Sequence, residues 1–268
     1  SVLAHFGLVG FEVAPFSDLV EKYQFIPLKG VINSQFWLSL GPDEYGFSAD
    51  LEMNEASFSN SVSLEQVSGR AQYVGKNLTN GSLKIEDLVI ESTKTVLEIP
   101  DLEILVNRKY DSESLALLLP STSVEDLLLG VDFFKSFSVI PVKTIDTLDN
   151  FKMKGQIKDL IILADKNSSF TRVVTNFSEL EIEKSSTFPK IKGFNGFLNF
   201  EKNLGYFDFY NKDFSVDLGM LFPDVWSFSE GRGRLAYEID GENIKLRSGL
   251  LNLKDGNTNG SGKFSLTL

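Results

Sequence analysis

Phe214-Ser215-Val216-Asp217-Leu218-Gly219-Met220 decides the fold. Apolar side chains at Phe214, Val216, Leu218 and Met220 alternate with small or polar ones, and a strand sends successive side chains to opposite faces. The pattern recurs at Leu235, Tyr237 and Ile239, at Ile244 and Leu246, and at Phe264, Leu266 and Leu268. It predicts one long sheet with one apolar face. Something apolar must cover such a face, and the chain offers few helices to do it. What covers the face decides function.

Upstream, Gly196–Phe200 and Tyr206–Tyr210 read as two further strands, separate from the one beginning at Phe214, and Phe151–Leu163 and Thr171–Ile182 as two more. Nearer the N-terminus the strands are Val31–Leu40, Tyr45–Met53, Ala56–Leu64, Gly69–Val74 and Leu83–Ile90, with one or two over Val96–Val106. Gly41-Pro42-Asp43-Glu44 is a turn, and Asn80-Gly81, Asp240-Gly241 and Asp255-Gly256 are hairpin signals. Helical spacing predicts a short helix over Phe16–Phe25 and another from Val124 to Phe137, with Ser123 and Asp126 at capping-box spacing. The second helix serves either as a core plug or as a cap over an apolar groove. If about 15 strands stack at about 4.8 Å, the sheet is on the order of 70 Å long.

Composition removes most chemistries. The net charge is -11, with 26 Lys plus Arg against 37 Asp plus Glu and no basic cluster, which excludes nucleic acid as a partner. There is no Cys, hence no thiolate, disulfide or Cys-based metal site, and no cofactor motif stands out. His5 is the one histidine and has no nucleophile motif beside it. No carboxylate pair is marked out by spacing for glycoside hydrolysis. The chain is therefore read as a non-enzyme without a metal. Its 23 Phe against 7 Tyr and 2 Trp suit acyl chains or plain core better than sugars.

The halves also echo each other. Pro27 and Pro189, and Gly69-Arg70 and Gly231-Arg232, share an offset of 162 residues, which predicts repeat units over 20–110 and 185–268 with a helix-containing insert at 120–140, all within one continuous segment.

The succession Val139-Ile140-Pro141, Phe151-Lys152-Met153-Lys154-Gly155-Gln156-Ile157, Thr175-Asn176-Phe177-Ser178-Glu179-Leu180 and Phe188-Pro189-Lys190-Ile191-Lys192-Gly193-Phe194 resembles the YhdP branch of the AsmA-like proteins. So does Leu221-Phe222-Pro223 followed by Gly231-Arg232-Gly233-Arg234-Leu235-Ala236-Tyr237. The resemblance implies a mainly β fold: an elongated, curved antiparallel sheet forming a U-shaped groove, with one or two short helices. It implies a bacterial periplasmic segment of an inner-membrane-anchored protein that carries phospholipid between inner and outer membranes. It implies no catalytic residue, and the chain reads as a monomeric internal fragment whose partners are phospholipid acyl chains. By strand parity, Phe207, Phe209, Phe214, Val216, Leu218, Leu235, Tyr237, Ile239, Ile244 and Leu246 are predicted to line the groove. The competing architectures are a closed β-sandwich or β-helix of adhesin type, whose apolar face is dry core, and a polysaccharide-acting enzyme.

Overall fold

The computed structural model describes residues 2–16, 27–58, 62–77, 80–93, 95–109, 112–136, 152–165, 172–183, 190–201, 203–217, 224–240 and 243–267. The chain divides into two compact units, Ser1–Leu117 with Asp126–Ile145, and Leu118–Glu125 with Asp146–Leu268.

The first unit is an antiparallel meander in which each strand pairs with the next: β1 (Val2–Glu12), β2 (Lys29–Leu40), β3 (Tyr45–Ser57), β4 (Ser63–Asn77), β5 (Asn80–Glu91) and β6 (Val96–Lys109). Strand β7 (Ser112–Ser123) runs through the division and leads directly into helix α1 (Val124–Ser136). The second unit repeats the meander in β8 (Met153–Asp165), β9 (Arg172–Ile182), β10 (Lys190–Glu201), β11 (Leu204–Asp217) and β12 (Trp226–Asp240). The outer edge of β12 is shared: β13 (Asn243–Ser248) takes Leu235–Asp240, and β14 (Leu251–Asp255) takes Glu230–Arg232. Strand β15 (Thr258–Gly262) pairs with β14, and β16 (Ser265–Thr267) with β13. The fold is mainly β, open and antiparallel, with one α-helix among the described residues.

Several sequence expectations need correction. Ala56–Leu64 is a hairpin, with Ala56 opposite Leu64 and Phe58 N–H bonded to Val62 O at 2.9 Å. Asn80-Gly81 is not the turn: Asn80 already pairs with Asn77, and Gly81 with Gly75. Tyr206–Tyr210 and the Phe214 run are one strand, β11. Strands β1 and β7 escaped prediction, because Leu8-Val9-Gly10-Phe11 and Leu117-Leu118-Leu119 do not alternate. The Gly41–Glu44 and Asp255-Gly256 turns stand where expected, and α1 starts at Val124 just after Ser123. The expected helix over Phe16–Phe25 and the turn residue Gly241 lie outside the described residues, apart from Phe16, which ends a 3-10 turn. Val124 is buried, and a methyl group on Gly130 would touch Leu97 Cδ2 at 3.7 Å, so this part of α1 packs as core.

At five further places among the described residues alternation fails for one shared reason. Among the described residues, Glu55, Asp87, Asp159, Glu179 and Asp213 are the non-glycine ones with positive φ, all between +51° and +53°. Each is an exposed acid inside a strand, and the residues two before and one after it are both withdrawn from solvent: Met53 and Ala56, Ile85 and Leu88, Ile157 and Leu160, Phe177 and Leu180, Asn211 and Phe214. A left-handed residue is an extra one in the pleat, so parity changes across it while the apolar side chains keep to one face. At four of the five, all but Asp159, the partner strand makes room with a glycine. A Cβ on Gly155 would lie 3.0 Å from Leu180 Cα and 3.1 Å from Glu179 O, and one on Gly193 would lie 3.3 Å from Asp213 O. Gly30 faces Ala56 and Gly69 faces Leu88 in the same way.

Asparagine side chains accept from backbone N–H groups at the Glu179 bend and at two further positions. Glu179 N–H donates to Asn195 Oδ1 at 2.9 Å, and Asn195 N–H donates to the fully buried Asn211 Oδ1. In the other unit Gly10 N–H, at φ +61°, donates to Asn33 Oδ1 at 2.8 Å. Asn33 and Asn195 are themselves 162 residues apart. Because a left-handed glutamate costs about 1–2 kcal/mol that glycine avoids, and glycine returns part of it as chain entropy, Glu179→Gly is expected to stabilise the protein by about 0.5–1 kcal/mol. Urea unfolding measures this.

Candidate functional site

Pairing register sorts the side chains into rungs. In the first unit Phe6, Phe36, Ala49, Ala71, Ile85 and Leu102 stand opposite one another across six strands. Leu38, Phe47, Tyr73, Leu83 and Ile104 form the rung two residues along. Next to the first rung, one residue along on the side away from the second and on the other face, lies the rung Gln35, Asp50, Arg70, Glu86 and Asp101. Arg70 bonds Asp50 at 3.0 Å and reaches Glu86 at 3.8 Å, and Lys84 bonds Glu86 at 2.6 Å. The hydrogen bond from Lys84 holds the Glu86 carboxyl below the usual carboxylate range. Such exposed pairs contribute little to stability but keep this face wetted.

The second unit has the same two faces. On the ion-paired one, both guanidinium contacts of Arg234 go to Asp208, with the Tyr206 ring centroid 4.2 Å from Arg234 Cζ, and Lys192 meets Glu181 at 3.8 Å. On the apolar one, two kinds of rung flank the left-handed residues. Thr175, Leu198, Phe207 and Leu235 stand on one side of the bends, and Met153, Ile182, Ile191 and Val216 on the other. Between them Phe194, Phe209 and Phe214 are only 9%, 8% and 3% exposed. Among the described residues, the side chains packed on these three come from β9–β12 and β14 of the same sheet, among them Phe177, Leu180, Phe228, Leu251 and Leu253. Phe194 and Phe214 meet edge to face at 5.1 Å, and Phe177 and Phe207 stack at 5.1 Å. A flat sheet leaves its face side chains half in water. Part of this burial comes from rings that lie over glycines of the neighbouring strand: a Cβ at Gly231 would meet the Phe214 ring and one at Gly233 the Phe209 ring.

The predicted lining residues therefore gather on one face but divide in character. Phe209 and Phe214 are floor, sealed by their neighbours. Phe207, Val216, Leu235, Tyr237, Ile239 and Leu246 are half-buried. Tyr237 stands opposite Gly205 and Leu246, its hydroxyl donates to Glu201 O, and burial pushes its phenol above the ordinary range. Ile244 pairs with Ile239 in the backbone register. Leu218 lies outside the described residues. Parity reasoning over the C-terminal strands missed the equivalent face of the first unit, whose rungs are visible only once the register is known.

His5 stacks on Trp37 with ring centroids 5.0 Å apart, in register with Ser48 on the wetted side. No group of three or more His, Asp or Glu among the described residues is placed to hold a metal. Nor is any helix among them long and apolar enough to cross a membrane.

Each unit is thus an open antiparallel meander with one apolar face and one ion-paired face. The chain is a member of the YhdP family: the family model described as YhdP protein matches residues 6–268. Neither a curated protein nor a solved structure matches it.

Proposed function

We propose that this chain is a segment of a lipid-transfer bridge, in which the apolar face shields phospholipid acyl chains during passage through the bacterial periplasm between inner and outer membranes. Transfer of an acyl chain through water costs about 0.8 kcal/mol per methylene, well over 10 kcal/mol for a chain of ordinary length. A continuous apolar surface removes most of that barrier without a titratable group, metal or nucleotide, so the reading is non-enzymatic. The parent protein is anchored in the inner membrane, and the segment acts as a monomer. Family membership supports this reading. The observation that carries it is the half-buried apolar rim around a sealed phenylalanine floor, with Val216, Leu235 and Leu246 withdrawn on one face while Arg234 and Lys245 pair with carboxylates on the other. Floor rigidity with an unsaturated rim suits a ligand that slides, whereas a dry sandwich core seals every such position.

A photo-crosslinking amino acid at Val216 or Leu246 is expected to capture phospholipid during expression and purification, and one at Asp217 or Lys245 to capture none. Mass spectrometry of the purified adducts decides. Equal labelling of both faces removes the one-sided groove.

A further inference from the structure

The left-handed acids are exposed, yet two of them flank the buried phenylalanine floor of the second unit. In β9 and β11 the bend residue is Glu179 or Asp213, and the phenylalanine floor lies directly beside both. The residue before each bend, Ser178 or Lys212, is also polar, so two consecutive outward side chains form the outer side of a corner. On the inner side Phe177 and Leu180, or Asn211 and Phe214, close together. The opposite strand admits the corner only because glycine stands there: a Cβ at Gly155 or Gly193 meets the backbone of the bend at 3.0 or 3.3 Å. A bulge of this kind bends its strand and increases local twist.

We infer that Glu179 and Asp213, each with its opposing glycine, are positioning residues that set the width of the acyl-binding groove. Their counterparts in the first unit are Glu55 and Asp87. This rests on the function proposed above and adds to it that groove width is written into backbone corners rather than into the side chains that meet the ligand. The corner needs a residue that tolerates positive φ and prefers water. Aspartate meets both needs, since its short side chain accepts the left-handed region more readily than a β-branched one and its charge keeps it outside.

A deletion isolates the bend. Removing Asp213 leaves Asn211 and Phe214 two positions apart, so both remain on the apolar face by ordinary alternation, and only the extra residue is lost. The test uses the 268-residue chain with phosphatidylglycerol vesicles doped with a phospholipid whose acyl chain carries a diazirine. The chain has no Cys, so spin labels at Phe207→Cys and Val216→Cys, on the two arms of β11, report the corner directly.

Deletion of Glu179 and Asp213 together is expected to keep strand content and cooperative unfolding, to lengthen the label distance although a residue is gone, and to lower lipid capture about tenfold, equivalent to re-exposing about two methylenes. Asp213→Gly, which keeps the bend, is expected to retain both distance and capture. Unchanged capture in a folded, straightened deletion variant overturns the inference and leaves the lipid reading standing. If the deletions prevent folding, Asp213→Val decides, because a β-branched residue resists the left-handed region: distance and capture equal to those of Asp213→Gly overturn the inference, and lower capture with a longer distance supports it. Absence of capture by the unaltered chain defeats the lipid reading itself, and the label distance alone then decides the corner.

Discussion

Val216→Asp and Leu246→Asp are expected to leave the protein folded and to abolish delivery of lipid, while Phe214→Asp unfolds it. All three positions lie on one face, so hydrophobicity alone predicts equal damage. Burial separates them. Val216 and Leu246 are half-buried, and a carboxylate there keeps part of its hydration. It also puts an unpaired charge in the path of an acyl chain, raising the barrier to sliding by several kcal/mol. Phe214 is 3% exposed, packed edge to face on Phe194 and stacked on Phe228 at 5.1 Å. Losing that ring costs about 3–5 kcal/mol before the buried charge is counted. Urea unfolding of the purified variants, with lipid capture measured on the same samples, checks both halves. Unfolding of Val216→Asp and Leu246→Asp places those residues in core and removes them from the groove.

Gly155→Ala is expected to destabilise the protein by about 3 kcal/mol. The added Cβ meets Leu180 Cα at 3.0 Å and the Glu179 and Ser178 carbonyl oxygens at 3.1 Å, all of them backbone atoms with little freedom to yield. Its φ of +139° adds strain for any L side chain. Gly260→Ala is the control, since nothing lies within 4 Å of its added methyl. Comparable urea midpoints for the two variants contradict the close approach at the bend.

Alternation made the one-sided face legible where strands run without interruption, as from Leu235 to Leu246. It misread β11, because a left-handed Asp213 moves the apolar positions from odd to even numbers and the two runs look like two strands. The signal was present in the sequence as an apolar residue, a polar one, an acid and an apolar one: Met53-Asn54-Glu55-Ala56, Ile85-Glu86-Asp87-Leu88, Ile157-Lys158-Asp159-Leu160 and Phe177-Ser178-Glu179-Leu180. Read singly, each looks like an alternation error. Read together, they mark the corners. Asn80-Gly81 failed for the opposite reason: a strong local turn preference yielded to the β4–β5 register, in which Tyr73 covers Gly81. The division of the face into floor and rim was not legible, since burial depends on which strands bend toward each other.

From β1 to β6 and from β8 to β12 the order of strands in space follows the order of synthesis, and that has a kinetic consequence. Every pairing from β1 to β6 and from β8 to β12 closes over a single connecting loop, so a newly made strand finds its template already formed beside it. Loop closure is short at each step, and the slow search usual for β proteins with distant pairings is avoided. The meander is thus suited to being laid down strand by strand as the chain emerges unfolded from a narrow exit, each addition stable on its predecessor without waiting for the far end.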